Sequence, residues 1–237
     1  MQTNNPTEHP KPTLPFIGRQ RELLRLEHLH ARRQHVLILG AAGVGKSALI
    51  ERLTRRVPLL ICPQSVRRTE IFDALENQLG LNVSGLTLIQ RKRLLLRSLT
   101  DAAWPVVFDG VSWTTPRLSS FLEGVKERTP VWICARSEHS WDIGHIWPVL
   151  GRFAHVELRP FHLTDSRTLV AAGVAAGRIP AGALDAVERL HQVAKGNARV
   201  LVELLEGLAS GHYDPRKRSD LKLLDLDRRI HQLIPAS

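Results

Sequence analysis

The sequence has little cysteine, few acidic residues for its size and no long apolar run, and each shortage excludes a class of protein. Only two cysteines occur among 237 residues, Cys62 and Cys134, both in or at the end of apolar strand-like stretches. That usage does not fit a disulfide framework and suits buried thiols in a reducing cytosol, so a cytoplasmic location is expected. The longest apolar stretches are short pieces such as Val36-Leu37-Ile38-Leu39, and none approaches the roughly 18 residues needed to span a bilayer. The N-terminal MQTNNPTEHPKPTLP is polar and proline-rich; without a charged-then-apolar pattern it reads as a flexible tail rather than a secretory signal. No internal repeat or low-complexity tract is present. Eleven histidines show no zinc-site spacing: His28 and His30 are two apart on a predicted helix, and His139 and His145 have no matching cysteine pair. No Ser-His-Asp or Cys-His arrangement has sequence support. Acidic residues number 23 against 33 Lys plus Arg, a net charge of +10 and a pI near 10.5. Such a field attracts polyanions, and nucleic acid is the expected one.

Along the chain, apolar runs alternate with helical periodicity. Gln20–Arg33 carries Leu23, Leu24, Leu26 and Leu29 at helical spacing, and His35–Leu39 reads as a buried strand. Lys46–Arg56 reads as a helix, Val57–Cys62 as a strand, and Ser65–Leu79 and Leu86–Ala102 as helices. Strands follow at Val106–Phe108, Val131–Cys134 and Ala154–Leu158, with a helix over Thr115–Arg128. Continuous apolar strands alternating with helices predict a parallel sheet covered on both faces. From Thr164 the strands stop. Helices are predicted at Ser166–Ala176, Ala181–Val193 and Ala198–Leu208, and a last one carries Leu223, Leu226, Ile230 and Leu233 on one stripe. The expected organisation is a tail (1–13), an α/β core (14–160), a small all-helical lid (161–210) and a basic C-terminal tail with an amphipathic helix (211–237).

The most informative stretch is Gly40-Ala41-Ala42-Gly43-Val44-Gly45-Lys46-Ser47, placed between a predicted strand and a predicted helix. Backbone N–H groups that ring an anionic phosphate need dihedrals most residues avoid, and Gly40, Gly43 and Gly45 supply them. Lys46 is positioned to reach β- and γ-phosphates, the Ser47 hydroxyl to ligate Mg²⁺, and the helix start adds its dipole. This is a complete Walker A phosphate loop. A dinucleotide fingerprint fits poorly, because the glycine spacing differs and Lys-Ser has no role in it. Downstream, Val106-Val107-Phe108 ends in Asp109, where a Walker B carboxylate would help hold Mg²⁺. Gly110 then stands where many ATPases place a glutamate that orients the attacking water. Loss of such a base costs roughly 10²–10⁴ in rate, so tight binding with slow or partner-dependent hydrolysis is expected.

With these residues in view, the chain resembles the AAA+ and STAND branch of P-loop ATPases over about residues 14 to 210. Phe16-Ile17-Gly18-Arg19-Gln20-Arg21-Glu22-Leu23 is similar to the box preceding Walker A in STAND and origin-recognition-like ATPases, which implies adenine contact for Gly18 and Arg19. Val131–Ser137 resembles the sensor-1 strand, with Arg136 facing the γ-phosphate. Gly196-Asn197-Ala198-Arg199 resembles the sensor-2 turn, which implies Arg199 over the phosphates. Gly151-Arg152-Phe153 resembles the arginine-finger box, which implies that Arg152 would reach a neighbouring subunit's nucleotide. The implied fold is a three-layer αβα sandwich with a parallel five-stranded sheet, followed by the helical lid. If strand order follows the family, the Asp109 strand separates Cys62 from Cys134 by two strand spacings, roughly 9.5 Å, beyond disulfide reach.

The expected function is an ATPase that binds ATP and Mg²⁺ and whose nucleotide state controls self-assembly and the binding of DNA or a protein partner. The catalytic set would be Lys46, Asp109, Arg136, Arg152 and Arg199, with Ser47 and Asp109 as metal ligands. One alternative is an AAA+ DNA-transposition regulator that forms ATP-dependent filaments on duplex DNA and recruits a transposase. Another is a non-hydrolysing nucleotide-binding module. Two features stay outside these readings. The five tryptophans between Trp104 and Trp147 are expected in core and loop packing. The basic stretches Arg91-Lys92-Arg93 with Arg97, and Arg216-Lys217-Arg218, read respectively as a solvated helix face and as a polyanion contact or hinge.

Overall fold

The computed structural model describes residues 14–62, 68–112, 114–137 and 139–233. The N-terminal tail, the start of the helix expected from Ser65 and the expected packing of Trp113 lie outside the described residues. Tertiary contacts divide the chain into two compact units, 19–160 and, among the described residues, 14–18 with 161–233.

The larger unit is an α/β sandwich. Its elements in chain order are α1 (Gln20–Ala31), β1 (Val36–Leu39), α2 (Lys46–Thr54), β2 (Leu60–Cys62), α3 (Arg68–Leu79), α4 (Leu88–Ala102), β3 (Val106–Phe108), α5 (Pro116–Lys126), β4 (Val131–Ala135), α6 (Ser140–Ile143) and β5 (Ala154–Glu157). The five strands form one sheet in the order β2-β3-β4-β1-β5, and every neighbouring pair is parallel. β3 thus separates Cys62 from Cys134, and both thiols are free and buried. Strands β1, β3 and β4 are buried almost throughout, as a sheet covered by helices on both faces requires. The strand expected from Val57 begins only at Leu60, because Pro58 has no N–H to give a ladder. At the free edge of β2, the Gln78 side chain takes the place of a strand. Its Oε1 accepts from Ile61 N at 2.8 Å and its Nε2 donates to Ile61 O at 2.7 Å.

Helix ends follow local chemistry. Thr87 and Gln90 form a capping box at α4, and the Thr115 hydroxyl caps α5 ahead of Pro116, satisfying amides that no helix can pair internally. α3 and α4 are clasped by Arg91, whose Nε donates to Glu76 Oε1 at 3.0 Å; Glu76 is buried.

The tryptophans depart from expectation. Trp132 is fully buried, with its Nε1 donating to Gln34 O at 3.0 Å, but Trp104, Trp141 and Trp147 are 40%, 65% and 51% exposed. Proximity to strand ends suggested core and loop packing; the last two lie on α6 and the 3-10 turn Trp147–Arg152, neither of which has a clear sequence period.

At the foot of β1, His35 Nδ1 accepts from Val131 N at 3.0 Å and the ring stacks on Phe153 at 5.2 Å. Burial, and then the charge of Lys126, hold the imidazole below its ordinary value. An acceptor nitrogen must be unprotonated, so folding favours the neutral ring. A depressed histidine contributes stability that is full above the unfolded value of about 6.5 and is lost as pH falls below it. Thermal melts from pH 7.5 downward are expected to lose midpoint below about 6.5, and His35→Phe to flatten that part of the slope. An unchanged slope in the variant would assign the pH dependence elsewhere.

The smaller unit is helical: α7 (Leu163–Ala175), α8 (Val187–Ala194), α9 (Ala198–Ala209) and α10 (Arg218–Leu233). The single helix expected over Ala181–Val193 is broken into a 3-10 turn at Ala181–Ala183 and α8, consistent with Gly182 in its first turn. α10 joins this core through Leu221 and Leu224, packed with α9 residues Leu201, Leu204, Leu205 and Leu208. Leu224 lies directly against Gly207, where a Cβ has no room. Arg228 bridges the two helices, with Glu203 at 3.2 Å and Asp225 at 2.8 Å. The apolar stripe picked out by spacing is therefore the other face: Leu223, Leu226 and Ile230 are 52%, 53% and 43% exposed. Helical spacing marks an apolar face without saying which of two faces the rest of the chain covers.

Candidate phosphate-binding site

β1 ends at Leu39 and the chain turns at once. Gly40 N donates to Ala135 O at 3.3 Å, and Leu158 N donates to Leu39 O at 2.7 Å. A Cβ on Gly40 would sit 2.6 Å from Leu158 O and 2.9 Å from Val44 Cγ2, so this position admits only glycine. Gly43 and Gly45 have φ of +80° and +101°, the left-handed region that turns successive amides to one side. Val44 anchors the loop from beneath, 1% exposed. α2 starts at Lys46 with no side-chain cap and no acidic residue in its first turn, which leaves its leading amides and dipole directed at the loop.

Lys46 Nζ lies across the loop, donating to Gly40 O at 2.6 Å and Ala41 O at 3.1 Å. Burial holds its ammonium below the ordinary lysine value; nearby Arg136 acts in the same sense, while Asp109 opposes. Asp109 follows β3 and is fixed by its N–H to Cys62 O at 3.0 Å. Arg136 follows β4 and is exposed. With the order β3-β4-β1, the carboxylate, this guanidinium and the glycine loop share the carboxyl edge of three adjacent strands, about 4.8 Å apart. That crevice is where open parallel sheets bind ligands.

Two features here were not evident from the sequence. The Cys134 thiol is buried against Asp109: burial first, then the carboxylate's charge and a thiol-to-carboxylate hydrogen bond, raise it far above the ordinary value. It is a neutral donor, and only the register of β3 beside β4 reveals the pairing. Arg19, by contrast, was expected at adenine. Its side chain is 6% exposed and holds the loop from behind, donating to Val44 O at 3.0 Å and Arg159 O at 2.6 Å while pairing with Glu22 at 3.1 Å. It ties residues far apart in sequence, so no local pattern signals the role. Lysine cannot span these acceptors with one point charge. Arg19→Lys is expected to cost about 1.5–3 kcal/mol, read as a lower melting midpoint; an unchanged midpoint would mean that the clasp contributes nothing.

The remaining expected residues lie on other segments of the chain. Gly18, with φ of +77°, belongs to the helical unit, where a Cβ would meet Asp165 Oδ1 at 3.0 Å. Arg199 is also in that unit, exposed and paired with Glu203 at 2.8 Å. Arg152 is exposed and precedes β5, at the amino edge of the sheet, so the larger unit does not bring it to its own phosphate loop. Gly110 has φ of +75°, a conformation that a glutamate would adopt only under strain of roughly 1–3 kcal/mol.

Ala41, Ala42 and Ser47 are exposed on the loop and the first turn of α2. The Ser47 hydroxyl and the Asp109 carboxylate are hard oxygen donors of the kind Mg²⁺ takes, with phosphate and water completing its shell. Among the described residues, no group of three or more His, Cys, Asp or Glu could hold a metal ion, and no helix is long and apolar enough to cross a membrane.

No protein-family model matches the chain. It is similar to part of the chaperone protein ClpB of Mycobacterium leprae, 29% identical over 141 residues, which are 58% of this chain and 15% of that protein. ClpB of Tropheryma whipplei (strain TW08/27) is 39% identical over 61 residues, 25% of this chain; the match spans only 9% of that protein. Among solved structures, Aeropyrum pernix ORC1 in complex with DNA superimposes with a TM-score of 0.67 at 16% identity, covering 94% of this chain and 70% of that one. The Walker-type ATPase PABY2304 of Pyrococcus abyssi gives 0.69 at 18% identity, covering 92% and 73%. The STAND protein PH0952 of Pyrococcus horikoshii, which has a tetratricopeptide repeat sensor, gives 0.54 at 13% identity, covering 96% and 34%. The chain thus has the fold of the AAA+-type P-loop ATPases, a five-stranded parallel αβα sandwich with C-terminal helices.

Proposed function

We propose that this chain binds ATP with Mg²⁺ at Gly40–Ser47 and hydrolyses it slowly or when a partner stimulates it, its nucleotide state controlling self-assembly and the binding of DNA or a protein. The observation that carries this reading is the convergence of Lys46, Asp109 and Arg136 at one edge of the sheet, around a loop whose Gly43 and Gly45 adopt left-handed backbone. Lys46 and the loop amides hold the phosphates, Ser47 and Asp109 the magnesium, and Arg136 reads the terminal phosphate. Magnesium would offset charge on the transferring phosphoryl group. Cys134 keeps the Asp109 carboxylate aimed. Residues 161–210 take the part of a nucleotide-responsive lid, with Arg199 as its reader of the phosphate, while Arg152 acts on the site of a second copy.

The left-handed backbone at Gly110, which glycine adopts freely and glutamate would not, supports slow hydrolysis, since no carboxylate there can orient water. The same observation favours the second reading, a nucleotide-binding module without turnover. Phosphate release by the wild type, with and without duplex DNA, decides between them when Lys46→Ala serves as the blank. Equal rates would leave the binding module. Assembly and polyanion binding, supported by the +10 charge and by the solved complex of ORC1 with DNA, are tested by light scattering with ATP and duplex DNA. A monomer under every condition would overturn both the assembly reading and the transposition-regulator filament.

A further inference from the structure

A groove of about 850 Å³ opens between α3 and α4. Phe72 and Leu96 form its floor, and Leu88 and Ile89 stand at its mouth, 48% and 68% exposed. These are large aliphatic side chains left in water on the first turn of a well-capped helix, a cost that burial against a partner would remove. The cations beside them are arranged unevenly. Arg91 is taken up by Glu76 and Asp73, whereas Lys92, Arg93 and Arg97 pair with no carboxylate among the described residues. On α4, Leu88, Lys92 and Leu96 repeat at i, i+4 and i+8, and Ile89, Arg93 and Arg97 form the adjacent row. One helix face therefore combines an apolar slot with three uncompensated positive charges.

We propose that this groove docks an amphipathic helix of another protein, its apolar stripe in the slot and acidic residues along its flank facing Lys92, Arg93 and Arg97. The charge pattern specifies the acidic flank. The apolar slot argues against nucleic acid, because a phosphate backbone gains nothing from Leu88 and Ile89 and would desolvate against them. Helix-in-groove recognition of this kind is read through anchors at i, i+3, i+4 and i+7. The inference is independent of turnover at the phosphate loop.

The test is a displayed library of random helical peptides panned against the whole chain, with Ile89→Glu as counter-target. Ile89 and Arg93 are exposed, so their variants are expected to melt like the wild type. Peptides retained by the wild type and lost by Ile89→Glu should carry the apolar spacing with Asp or Glu alongside. A synthesised peptide of that kind should lose roughly tenfold or more in affinity on Arg93→Glu, and its binding should weaken with salt. Enrichment of basic-flanked peptides, or no peptide whose binding depends on Ile89, would overturn the proposal. So would a short DNA duplex that loses affinity on Arg93→Glu but not on Ile89→Glu, since it would assign the face to nucleic acid.

Discussion

Lys46→Ala is expected to weaken ATP binding by roughly 10–100-fold and to lower kcat/KM by roughly 10²–10³-fold. Two losses combine. In the proposed site the ammonium is a cation that meets the phosphates, in a half-buried setting where a charge-assisted bond exceeds its value in water. It also pins the loop itself, through Gly40 O at 2.6 Å and Ala41 O at 3.1 Å, so the variant's loop amides are no longer held in one arrangement. The position is poised rather than relaxed: burial already works against the charge, and an arriving polyanion relieves that penalty. Titration of a fluorescent ATP analogue and a phosphate-release assay measure the two effects separately. Binding within a factor of two of wild type would remove the phosphate loop from the mechanism. Because the side chain contributes little to the core, the melting midpoint without nucleotide should hardly move.

Trp132→Ala is expected to have the largest effect on stability, about 3–5 kcal/mol. The indole is fully buried in β4, the middle strand of the sheet, flanked by β3 and β1, and His30 meets it edge-on at 6.4 Å. Deleting it opens a cavity beneath α1 and strands the Gln34 carbonyl that its Nε1 serves at 3.0 Å. For a chain of this size the midpoint should fall by roughly 10 °C. Trp132→Phe separates the terms: it refills most of the volume and forfeits the hydrogen bond, so a smaller fall is expected. Equal midpoints for wild type and Trp132→Ala would show that the surrounding helices close over the gap without penalty.

The phosphate loop was legible because its chemistry is contiguous. Eight adjacent residues specify turn, cation and hydroxyl together, and the flanking strand and helix have strong periods. The sheet was legible for a related reason, since fully buried parallel strands leave uninterrupted apolar runs. What stayed hidden depends on pairings between distant segments. Arg19 acquires its place only when Arg159, 140 residues later, returns beside the loop, and Cys134 meets Asp109 only through strand register. In α10, the longer apolar row is Leu223, Leu226 and Ile230, yet the shorter one packs, with Leu224 in tight approach to Gly207. Trp141 and Trp147 show the converse error, where residue type suggested burial and irregular local structure left the rings in water.

The Gln78 amide on β2 limits how copies of this chain can join. An open strand edge is the simplest route for a second chain to lengthen a sheet, and it is also a route to aggregation. Here the backbone N–H and C=O of Ile61 are already engaged by a side chain from α3, so that edge offers no ladder there for a strand to extend. Growth of the molecule into a larger array along this border must therefore run through side-chain surfaces. Such surfaces can be loosened or tightened by charge and by bound ligand, whereas a continuous sheet, once formed, is slow to come apart.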